Sequence, residues 1–469
     1  MRLVRRSRSR WLRPAAGLLA AVLAVATAPI AAGEPRSGCR AEDSPTRYVV
    51  LFAPGTDNTR ATAETAARCG TMTAYYGEIG VGVVDSADPD LVARFGPDRA
   101  YSAEQQVEAD RRDGTSQNRL PGPAAVPPEQ WNLRQIRAGQ AHQVTEGSRD
   151  VTVGVLDSGI DASHSELAGA LDQQRSANCL TPEHPQLPGA PQGAESAPRG
   201  RQAAVEPQGD PHGTHVAGII AAADDGRGVT GVAPDTRLAS IRVVDHQGYV
   251  HPEYAVCGFM WSARHGIDVA NSSFLVESAQ LGCTGAGSPV PREAVRRAVR
   301  YATSRGVLTV AAVGNEQVDL TAVPRGAESV CDAVPVGLDD VVSVSAISRD
   351  GIKSGYSSYG LGAVDLAAPG GEPGACVRST VPGGYGAACG TSMAAPHVSG
   401  VAALLKARHP EAGPAQLRRM LLASARPQSC PTDYDLNADS AQDAICRGYA
   451  SYNGFSGHGV VDAARAVGG

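Results

Sequence analysis

Lysine is almost missing from this sequence. Of the 42 lysine and arginine residues in the 469-residue chain, only Lys353 and Lys406 are lysines, which reflects coding bias rather than function. The net charge of -6 at pH 7 argues against a nucleic-acid or anionic-membrane partner. Beyond residue 32, no apolar run approaches the roughly 20 residues that a membrane-spanning helix needs. We therefore expect no membrane anchor, and 42% hydrophobic residues suffice for a large folded core.

The first 32 residues have the layout of a secretory signal peptide. Six arginines between Arg2 and Arg13 precede an uncharged run, rich in alanine, leucine and valine, over residues 14–32. A basic segment, an apolar segment and small residues before the cleavage point define such signals. We predict cleavage after Ala32 and a secreted, extracellular, monomeric mature protein.

Ten cysteines behind a signal peptide predict disulfide bonds. Two of the predicted bridges are local. One closes the polar loop between Cys430 and Cys446, and the other joins Cys376 to Cys389 across a hairpin that turns at residues 382–384. The remaining predicted pairs are Cys39–Cys69 in the N-terminal part of the chain and, by elimination, Cys283–Cys331 and Cys179–Cys257.

Residues 33–115 are predicted to form a small separate domain. Its strands are predicted at 47–52, 72–79, 81–84 and 101–110, with helices at 60–69 and 88–95. This β-α-β-β-α-β order indicates a ferredoxin-like α+β fold. The stretch that follows is rich in glycine, proline and serine, and residues 116–128 are assigned to a linker.

Residues 129–469 alternate apolar strands with helices. Strands are predicted at 151–157, 237–244, 268–273, 307–313 and 341–347, and helices at 212–223, 253–265, 291–305 and 392–407. Such alternation predicts an α/β fold, a doubly wound parallel sheet with helices on both faces. Residues 173–211, dense in proline, glycine, glutamine and alanine, are predicted to form a surface insertion.

A serine stands at the start of the predicted helix 392–407. Residues 389–400 read CGTSMAAPHVSG, which predicts a turn and then a helix with Pro396 in its first turn. A helix N-terminus offers free N–H groups and a partial positive charge. Ser392 is thereby placed as a nucleophile whose developing oxyanion would meet a backbone donor. Taken alone, the triplet Gly-Thr-Ser also suits an ordinary helix N-cap.

Three further segments carry the partners that a serine nucleophile needs. Asp157 ends a buried strand, where open α/β sheets place their chemistry and where a carboxylate can hold an imidazole in one tautomer. His212 stands at the entrance of a helix and can face a cleft, whereas His215, one turn later, is predicted to be packed and structural. Asn315 follows Gly314 at the end of another strand, and its amide can donate a hydrogen bond to an oxyanion.

The four sites occur in the order Asp, His, Asn, Ser, and the run around Ser392 resembles the nucleophile motif of subtilisin-like serine proteases, G-T-S-M-A-x-P. The resemblance covers roughly residues 131–467. It implies Asp157 as orienting acid, His212 as general base, Ser392 as nucleophile and Asn315 as oxyanion donor. The implied activity is that of a serine endopeptidase that cuts polypeptides through an acyl-enzyme, with no cofactor needed for the chemistry.

Residues 107–110, which read VEAD, are similar to the end of the inhibitory prodomain that precedes many subtilases. This implies that residues 33–115 assist folding and act as an intramolecular inhibitor until the linker is cut. A small accessory domain is the alternative.

Residues 268–275 resemble the strand with which subtilases pair a bound peptide. The resemblance implies that Ser273, Phe274 and Leu275, together with Gly314, bind the substrate. The family usually carries a Leu-Gly pair where this chain has Phe274 and Leu275, so we expect narrower subsites.

Residues 223–229 stand where the family places a calcium loop. Calcium takes six to eight oxygen ligands, and Asp225 and Glu166 would supply two of them. An Asp-Asp-Gly sequence also makes a good turn without metal, so a structural calcium ion and a metal-free turn both remain open.

Two other functions compete with a protease. A subtilase-shaped binding or inhibitor protein without turnover is disfavoured because all four catalytic positions are filled. A lipase or esterase is disfavoured because its G-x-S-x-G elbow is not present at Ser392 and its triad places the serine first in chain order.

Overall fold

The computed structural model of the chain describes residues 38–40, 44–105, 129–180, 211–276, 288–322 and 334–468. The predicted signal peptide, the VEAD motif, the linker and the Cys283–Cys331 bridge lie outside the described residues. No helix in the described ranges is long and apolar enough to cross a bilayer.

Residues 46–101 form the expected β-α-β-β-α-β unit. Its elements are β1 (Thr46–Leu51), α1 (Asn58–Ala67), β2 (Thr71–Tyr76), β3 (Val81–Ser86), α2 (Leu91–Phe95) and β4 (Ala100–Tyr101). The strands make an antiparallel sheet in the order β2-β3-β1-β4. Helix α1 starts where the Asp57 carboxylate accepts a hydrogen bond from Arg60 N at 2.9 Å, which satisfies one of the free amides of its first turn.

The fourth strand is shorter than the predicted strand 101–110. Residues 103–105 are helical instead, and Gln105 N donates a hydrogen bond to Ser102 Oγ at 3.3 Å. A serine hydroxyl that accepts from an amide three residues later starts a helical turn. This local bond ends the strand at Tyr101.

The rest of the described chain is built on a parallel sheet. Its strands are β5 (Thr152–Asp157), β6 (Ala177–Asn178), β7 (Arg237–Arg242), β8 (Val269–Ser272), β9 (Leu308–Ala312), β10 (Val341–Ile347) and β11 (Leu366–Pro369). They are ordered β11-β10-β9-β8-β5-β7-β6, and each neighbouring pair is parallel. The five predicted strands are present as β5 and β7 to β10. The edge strands β6 and β11 are additions that the sequence pattern does not indicate.

Helices cover both faces of this sheet. They are α3 (Trp131–Gln135), α4 (Ala138–His142), α5 (Ser165–Ala168), α6 (Pro211–Ala221), α7 (Pro252–Arg264), α8 (Pro289–Ser304), α9 (Thr391–Arg408), α10 (Pro414–Ser424) and α11 (Ala463–Gly468). Two hairpins complete the set, β12 (Val377–Val381) with β13 (Gly384–Ala388), and β14 (Gly448–Tyr449) with β15 (Tyr452–Asn453). The doubly wound α/β prediction is confirmed.

Strand β6 lies inside the segment predicted as a surface insertion, residues 173–211. It pairs with β7, and Cys179, the next residue, is disulfide-bonded to Cys257 of α7. Residues 173–180 therefore belong to the edge of the sheet, and placing the insertion at 173 is wrong. Residues 181–210 lie outside the described ranges.

Side chains of the central sheet alternate between two hydrophobic cores. Val153 and Val155 of β5 face the core that contains α6 and α9, whereas Leu156 faces the core that contains α7 and α8. The strands are thus buried on both faces, and the carboxylate of Asp157 stands at the last residue of β5.

The small N-terminal sheet also buries both faces. Tyr48 and Val50 of β1 pack with α1 and α2, whereas Val49 and Leu51 join the core of α7 and α8. The period of two along β1 thus gives the N-terminal unit its own core and a second face that covers two helices of the parallel-sheet region.

Candidate active site

The carboxyl end of β5 places Asp157 beside His212. Asp157 is 1% exposed, and its Oδ1 lies 2.7 Å from His212 Nδ1. The same oxygen accepts hydrogen bonds from the backbone N of Ser158 at 2.7 Å and from its Oγ at 3.2 Å. Since an ionised carboxylate only accepts, the proton between the two side chains belongs to Nδ1. His212 Nε2 is then left as a proton acceptor.

The first turn of α6 is locked onto the loop that follows Asp157. Gly213 N donates to Ser158 Oγ at 3.1 Å. A Cβ at Gly213 would overlap Gly159 O, so a side chain there would push the helix away from the loop. This close approach fixes the position of His212 relative to Asp157. Ser158 and Gly213 are therefore part of the site. Serine and glycine are common in turns, so the sequence alone does not indicate this role.

His215 lies one turn further along α6 and faces the interior. It is 2% exposed, and its Nε2 lies 3.1 Å from Val377 O. Burial lowers the pKa of His215 to about 3, so the ring is neutral at physiological pH. The prediction of a packed, structural histidine is confirmed.

Ser392 is the second residue of α9 and is tied to the end of β8. Its Oγ donates to Ser273 O at 3.0 Å, while Ser273 Oγ donates to Ser392 O at 2.9 Å. Asn271 Nδ2 donates to Ser273 Oγ at 2.9 Å, and Ser399 Oγ donates to Asn271 Oδ1 at 2.8 Å. This chain of hydrogen bonds holds the first turn of α9 against the sheet.

Asn271 is a residue of the site that the sequence argument missed. It is fully buried in β8, which reads VANS. A buried amide almost always has hydrogen-bond partners, so an asparagine within a buried strand is the signal that points to a polar network at that strand end.

Asn315 is held in one orientation beside Ser392. Its Oδ1 accepts hydrogen bonds from Thr391 N at 2.8 Å and from Thr391 Oγ1 at 2.9 Å, and Gly314 N donates to Thr391 Oγ1 at 3.2 Å. A backbone N–H can only donate, so the atom that faces it is the amide oxygen. The amide nitrogen is then the atom of Asn315 that remains to donate elsewhere. Thr391, immediately before Ser392, is the positioning partner that the sequence argument did not name.

Hairpin β12–β13 connects the helix of His212 with the turn before Ser392. Ser379 Oγ donates to His215 O and Thr380 Oγ1 donates to Thr214 O, both at 2.7 Å. The disulfide between Cys376 and Cys389 closes the base of the hairpin, three residues before Ser392. One hairpin therefore contacts α6 and leads directly into α9.

Two strand ends face each other beside Ser392. Leu275 Cδ1 lies 3.0 Å from where a Cβ on Gly314 would stand, and the same Cβ would overlap the carboxylate of Glu316. Phe274 is 9% exposed and packs in the core of α7 and α8. Of the predicted substrate-binding set, Ser273 is hydrogen-bonded to Ser392, Gly314 is hydrogen-bonded to Thr391, and Leu275 lies beside Gly314, whereas Phe274 is buried in the core.

Three predicted disulfides are present, namely Cys179–Cys257, Cys376–Cys389 and Cys430–Cys446. They join the sheet edge to α7, the two ends of hairpin β12–β13, and the two ends of a polar loop. The Cys39–Cys69 pairing stays a prediction.

The fold also brings Glu166 to the loop 223–229. Glu166 is 3% exposed, and its Oε1 accepts a hydrogen bond from the Tyr385 hydroxyl. The hydrogen bond to Glu166, then burial and the nearby Asp225 raise the pKa of Tyr385 to about 12. Glu166 Oε2 is buried and has no hydrogen-bond partner among the described residues. A buried carboxylate oxygen without a donor, next to a loop that carries a second carboxylate, fits a hard cation.

Fold and site together define an α/β protein with a hydrogen-bonded aspartate–histidine pair at the end of β5, and with an asparagine after β9 bound to the residue that precedes Ser392. The sequence pattern of the subtilase family matches residues 148–459, and the chain belongs to this family.

Two curated relatives and one solved structure illustrate the likeness. M-protease from Shouchella clausii strain KSM-K16 is 34% identical over 296 residues, which make up 63% of this chain and 64% of that protein, slightly under two thirds. The subtilisin of Bacillus pumilus is 33% identical over 296 residues, or 63% of this chain and 90% of that one. The epidermin leader peptide processing serine protease from Staphylococcus aureus has a TM-score of 0.61 at 17% identity, covering 90% of this chain and 98% of that one, which shows the shared fold.

Proposed function

We propose that this chain is a secreted serine endopeptidase that is made as a zymogen and cuts polypeptides through an acyl-enzyme. The observation that carries the proposal is the 2.7 Å hydrogen bond between Asp157 Oδ1 and His212 Nδ1, placed at the same sheet edge as Ser392 and Asn315. Membership of the subtilase family supports it, because relatives named as subtilisins and proteases align over this region.

In the proposed reaction, His212 Nε2 takes the proton of Ser392 Oγ while that oxygen attacks the carbonyl carbon of the substrate. The carbonyl oxygen becomes an oxyanion, which accepts hydrogen bonds from Asn315 Nδ2 and from a free N–H at the N-terminus of α9. The protonated His212 then gives its proton to the leaving amine, and an acyl-enzyme remains on Ser392. Water hydrolyses this ester by the same proton transfers, with Asp157 stabilising the imidazolium each time.

The substrate is proposed to bind as an added strand beside residues 273–275. Backbone groups of an extended peptide would pair with this strand end, and side-chain pockets would select the sequence. Because the Phe274 side chain is buried in the core, the Leu275 side chain, which lies beside Gly314, is the one proposed to narrow the subsites.

Residues 33–115 are proposed to be an intramolecular inhibitor, and the N-terminal sheet supports this by covering α7 and α8. Arg297 Nη1 donates to Phe52 O at 2.9 Å and to Ile79 O at 3.0 Å, so one guanidinium of α8 joins the end of β1 to the turn after β2. Arg264 of α7 pairs with Glu78 at 2.6 Å. These polar contacts accompany the apolar packing of β1 against α7 and α8. Such a mixed interface suits an inhibitory domain that must bind firmly and later dissociate.

A structural calcium ion is proposed beside Glu166 and Asp225. Glu166 Oε2, which has no hydrogen-bond partner in the part of the chain that the structure describes, would be one ligand, and the exposed Asp225 would be a second one. Calcium should raise the melting temperature of the Ser392→Ala protein, and a chelator should lower it. At a free calcium concentration a hundredfold above Kd, binding should add about 2.7 kcal/mol to the free energy of unfolding. Glu166→Gln should lose this response, whereas Asp224→Asn, a neighbouring carboxylate bound to the Thr230 hydroxyl at 3.2 Å, should keep it. If calcium does not change the melting temperature, residues 223–229 form a turn without metal.

Residues 1–32 are proposed to direct export, with a monomeric enzyme released outside the cell. Fusion of these residues to a reporter, followed by N-terminal sequencing of the exported product, tests both the route and the cut after Ala32. A reporter retained inside the cell would contradict the proposal.

The deciding experiment is active-site labelling with a fluorophosphonate reagent, together with hydrolysis of a mixed peptide library. We expect the purified protein to be labelled at Ser392 and to cut peptides. Ser392→Ala should lose both, with kcat falling by on the order of 10⁶, the loss measured for this change in subtilisin. Ser424→Ala, a serine bound to Leu421 O on α10, is the matched control and should behave as wild type. A wild-type protein that binds peptides but neither reacts nor cuts would be the silent binding protein.

A further inference from the structure

Lys353, one of the two lysines of the chain, is buried. Only 3% of the residue is exposed. Its Nζ donates hydrogen bonds to three backbone carbonyls of the turn that follows it, at 2.9 Å to Ser354 O, 2.8 Å to Ser357 O and 3.4 Å to Gly355 O. The side chain bends back and fills the turn that its own backbone begins. The ammonium group of Lys353 thus lies among the carbonyl oxygens where a bound cation would otherwise be held.

Three aromatic rings surround the same ammonium group. Lys353 Nζ lies 5.1 Å from the ring centroid of Tyr434, 5.2 Å from that of Tyr359 and 5.4 Å from that of Phe455, all within range of a cation–π contact. Tyr434 also donates its hydroxyl proton to Lys353 O at 2.8 Å. Tyr434 belongs to the loop closed by Cys430 and Cys446, so this loop forms one wall of the cage.

The buried charge is kept at a cost in free energy. Burial lowers the pKa of Lys353 to about 8, although Glu372 and Asp443 act in the opposite sense. Buried charged groups add little net stability, and their best-attested effect is to select one conformation. The conformation that Lys353 selects is that of residues 354–358.

On one side, this turn leads to the strand end that carries Asn315. Ser358 is fully buried, and its N donates to Gly314 O at 3.0 Å. Gln317 N donates to Tyr356 O at 3.0 Å. Residues on both sides of Asn315 are thus tied to the turn.

On the other side, the turn contacts the segment that supports the start of α9. Ser354 Oγ and Tyr356 Oη both donate to Gly371 O at 2.8 Å. Gly390 N, two residues before Ser392, donates to Gly370 O at 3.1 Å. One turn therefore joins the asparagine side and the serine side of the site.

We propose that Lys353 is a positioning residue for the oxyanion site, a built-in cation that shapes residues 354–358 and through them fixes Asn315 relative to the N-terminus of α9. This inference rests on the proposed function, and it adds a residue that does not touch the substrate. The aromatic rings of the cage couple the disulfide loop 430–446 to the same turn.

The test compares Lys353→Met with Lys406→Met. Methionine keeps an unbranched apolar side chain inside the rings but removes the charge and the three donors. Lys406 is the matched control, because its Nζ also donates to carbonyls, Pro410 O at 2.7 Å and Ala412 O at 3.2 Å, but at the far end of α9. Rates are divided by the concentration of active sites titrated with the fluorophosphonate, so that loss of folded protein does not count as loss of kcat.

Lys353→Met is expected to lower kcat by between about tenfold and a hundredfold, since a small displacement of the reacting geometry has an effect of this size. KM should change less than twofold. A peptide aldehyde, which forms a tetrahedral adduct with an oxygen in the oxyanion site, should lose affinity by the same factor as kcat. A product peptide, which forms no such adduct, should bind as before. Lys406→Met should match wild type in all four measurements.

An unchanged kcat per titrated site in Lys353→Met would overturn the proposal, as would equal losses in the two lysine variants. If Lys353→Met does not accumulate, Tyr434→Leu replaces it, because this change opens the cage while leaving the lysine in place. It should lower kcat and aldehyde affinity together, and an unchanged kcat would overturn the proposal equally. A wild-type protein that the fluorophosphonate does not label would instead contradict the proposed function.

Discussion

Ser392 and Ser273 exchange two hydrogen bonds, each using its hydroxyl as donor and its backbone carbonyl as acceptor. The pair joins the first turn of α9 to the end of β8, and it holds the Ser392 hydroxyl 3.0 Å from Ser273 O. In the proposed reaction the hydroxyl proton leaves this carbonyl for His212, so the pair describes the site before that transfer.

Ser273→Ala tests how far this pair orders the nucleophile. The change keeps the acceptor of the Ser392 hydroxyl but leaves Ser392 O and Asn271 Nδ2 without the Ser273 Oγ partner. A lost neutral hydrogen bond is worth about 1 kcal/mol, so kcat should fall roughly fivefold. Steady-state kinetics on a peptide nitroanilide measures this. Ser272→Ala is the control, because the Ser272 hydroxyl has no partner among the described residues. Equal effects of the two changes would contradict the specific role of the pair.

Asn315→Ala should lower kcat by about 10²–10³ with the fold intact, the range measured for the equivalent loss in subtilisin. Thr391→Val removes one of the two donors that orient the Asn315 amide and should cost about tenfold, less than a lost oxyanion donor. Because Thr391 is expected to act through Asn315, the double variant should be no slower than Asn315→Ala alone. Additive losses would show that the threonine acts by another route.

Arg297→Ala should weaken inhibition by the N-terminal domain. The guanidinium donates to carbonyls on two segments of that domain, and loss of an arginine at the centre of an interface typically costs about 2 kcal/mol, or roughly thirtyfold in affinity. The inhibition constant is measured by titrating residues 33–120 into the mature enzyme. Arg300→Ala, on the same helix but paired with Asp340 at 3.9 Å and 55% exposed in its side chain, should leave the constant unchanged. If residues 33–120 do not inhibit the wild-type enzyme at micromolar concentration, they form an accessory domain and not an inhibitor.

The protein should lose stability in acid. Burial lowers the pKa of His215 to about 3 and that of His397 to about 4, against about 6.5 for an unfolded chain. Between these values the unfolded state binds protons that the folded state does not, so the free energy of unfolding falls as the pH decreases below about 6.5. The loss should be on the order of 3 kcal/mol per histidine by pH 4. Urea unfolding of the Ser392→Ala protein from pH 7 to pH 4 measures it. His397→Gln should reduce the slope of the unfolding free energy against pH by the contribution of one proton. An unchanged slope would show that His397 does not cause the loss of stability.

Strands β5, β7, β9 and β10 were predictable, since they are almost entirely buried and each contains at least two valine, leucine or isoleucine residues. Strand β11 was not, because Leu366–Pro369 is short, contains two alanines and a proline, and is held by its parallel pairing with β10 and by bridges to Gly457 and Val460. Likewise β6 has two residues and depends on β7. Pairing with a neighbour supplies the structure in both cases, and a single stretch of sequence does not contain it.

At the site, the residues with distinctive local sequence were predictable and their supporting partners were not. Asp157, His212, Asn315 and Ser392 each stand in a recognisable run. Thr391, Ser158 and Asn271 act through hydrogen bonds to residues that are distant in sequence or hidden in ordinary turns. Lys353 shows the same limit, since its cage is assembled from Tyr359, Tyr434 and Phe455, which come from separate parts of the chain.

Hairpin β12–β13 connects the two helices of the site, α6 and α9, and is closed by a disulfide bond. Its strands contact α6, and its base is closed by Cys376–Cys389 immediately before the turn to Ser392. A covalent bond thus closes the hairpin that contacts α6 at the point where the chain turns into α9. Reduction of Cys376–Cys389 is therefore expected to loosen the connection between α6 and the turn before Ser392.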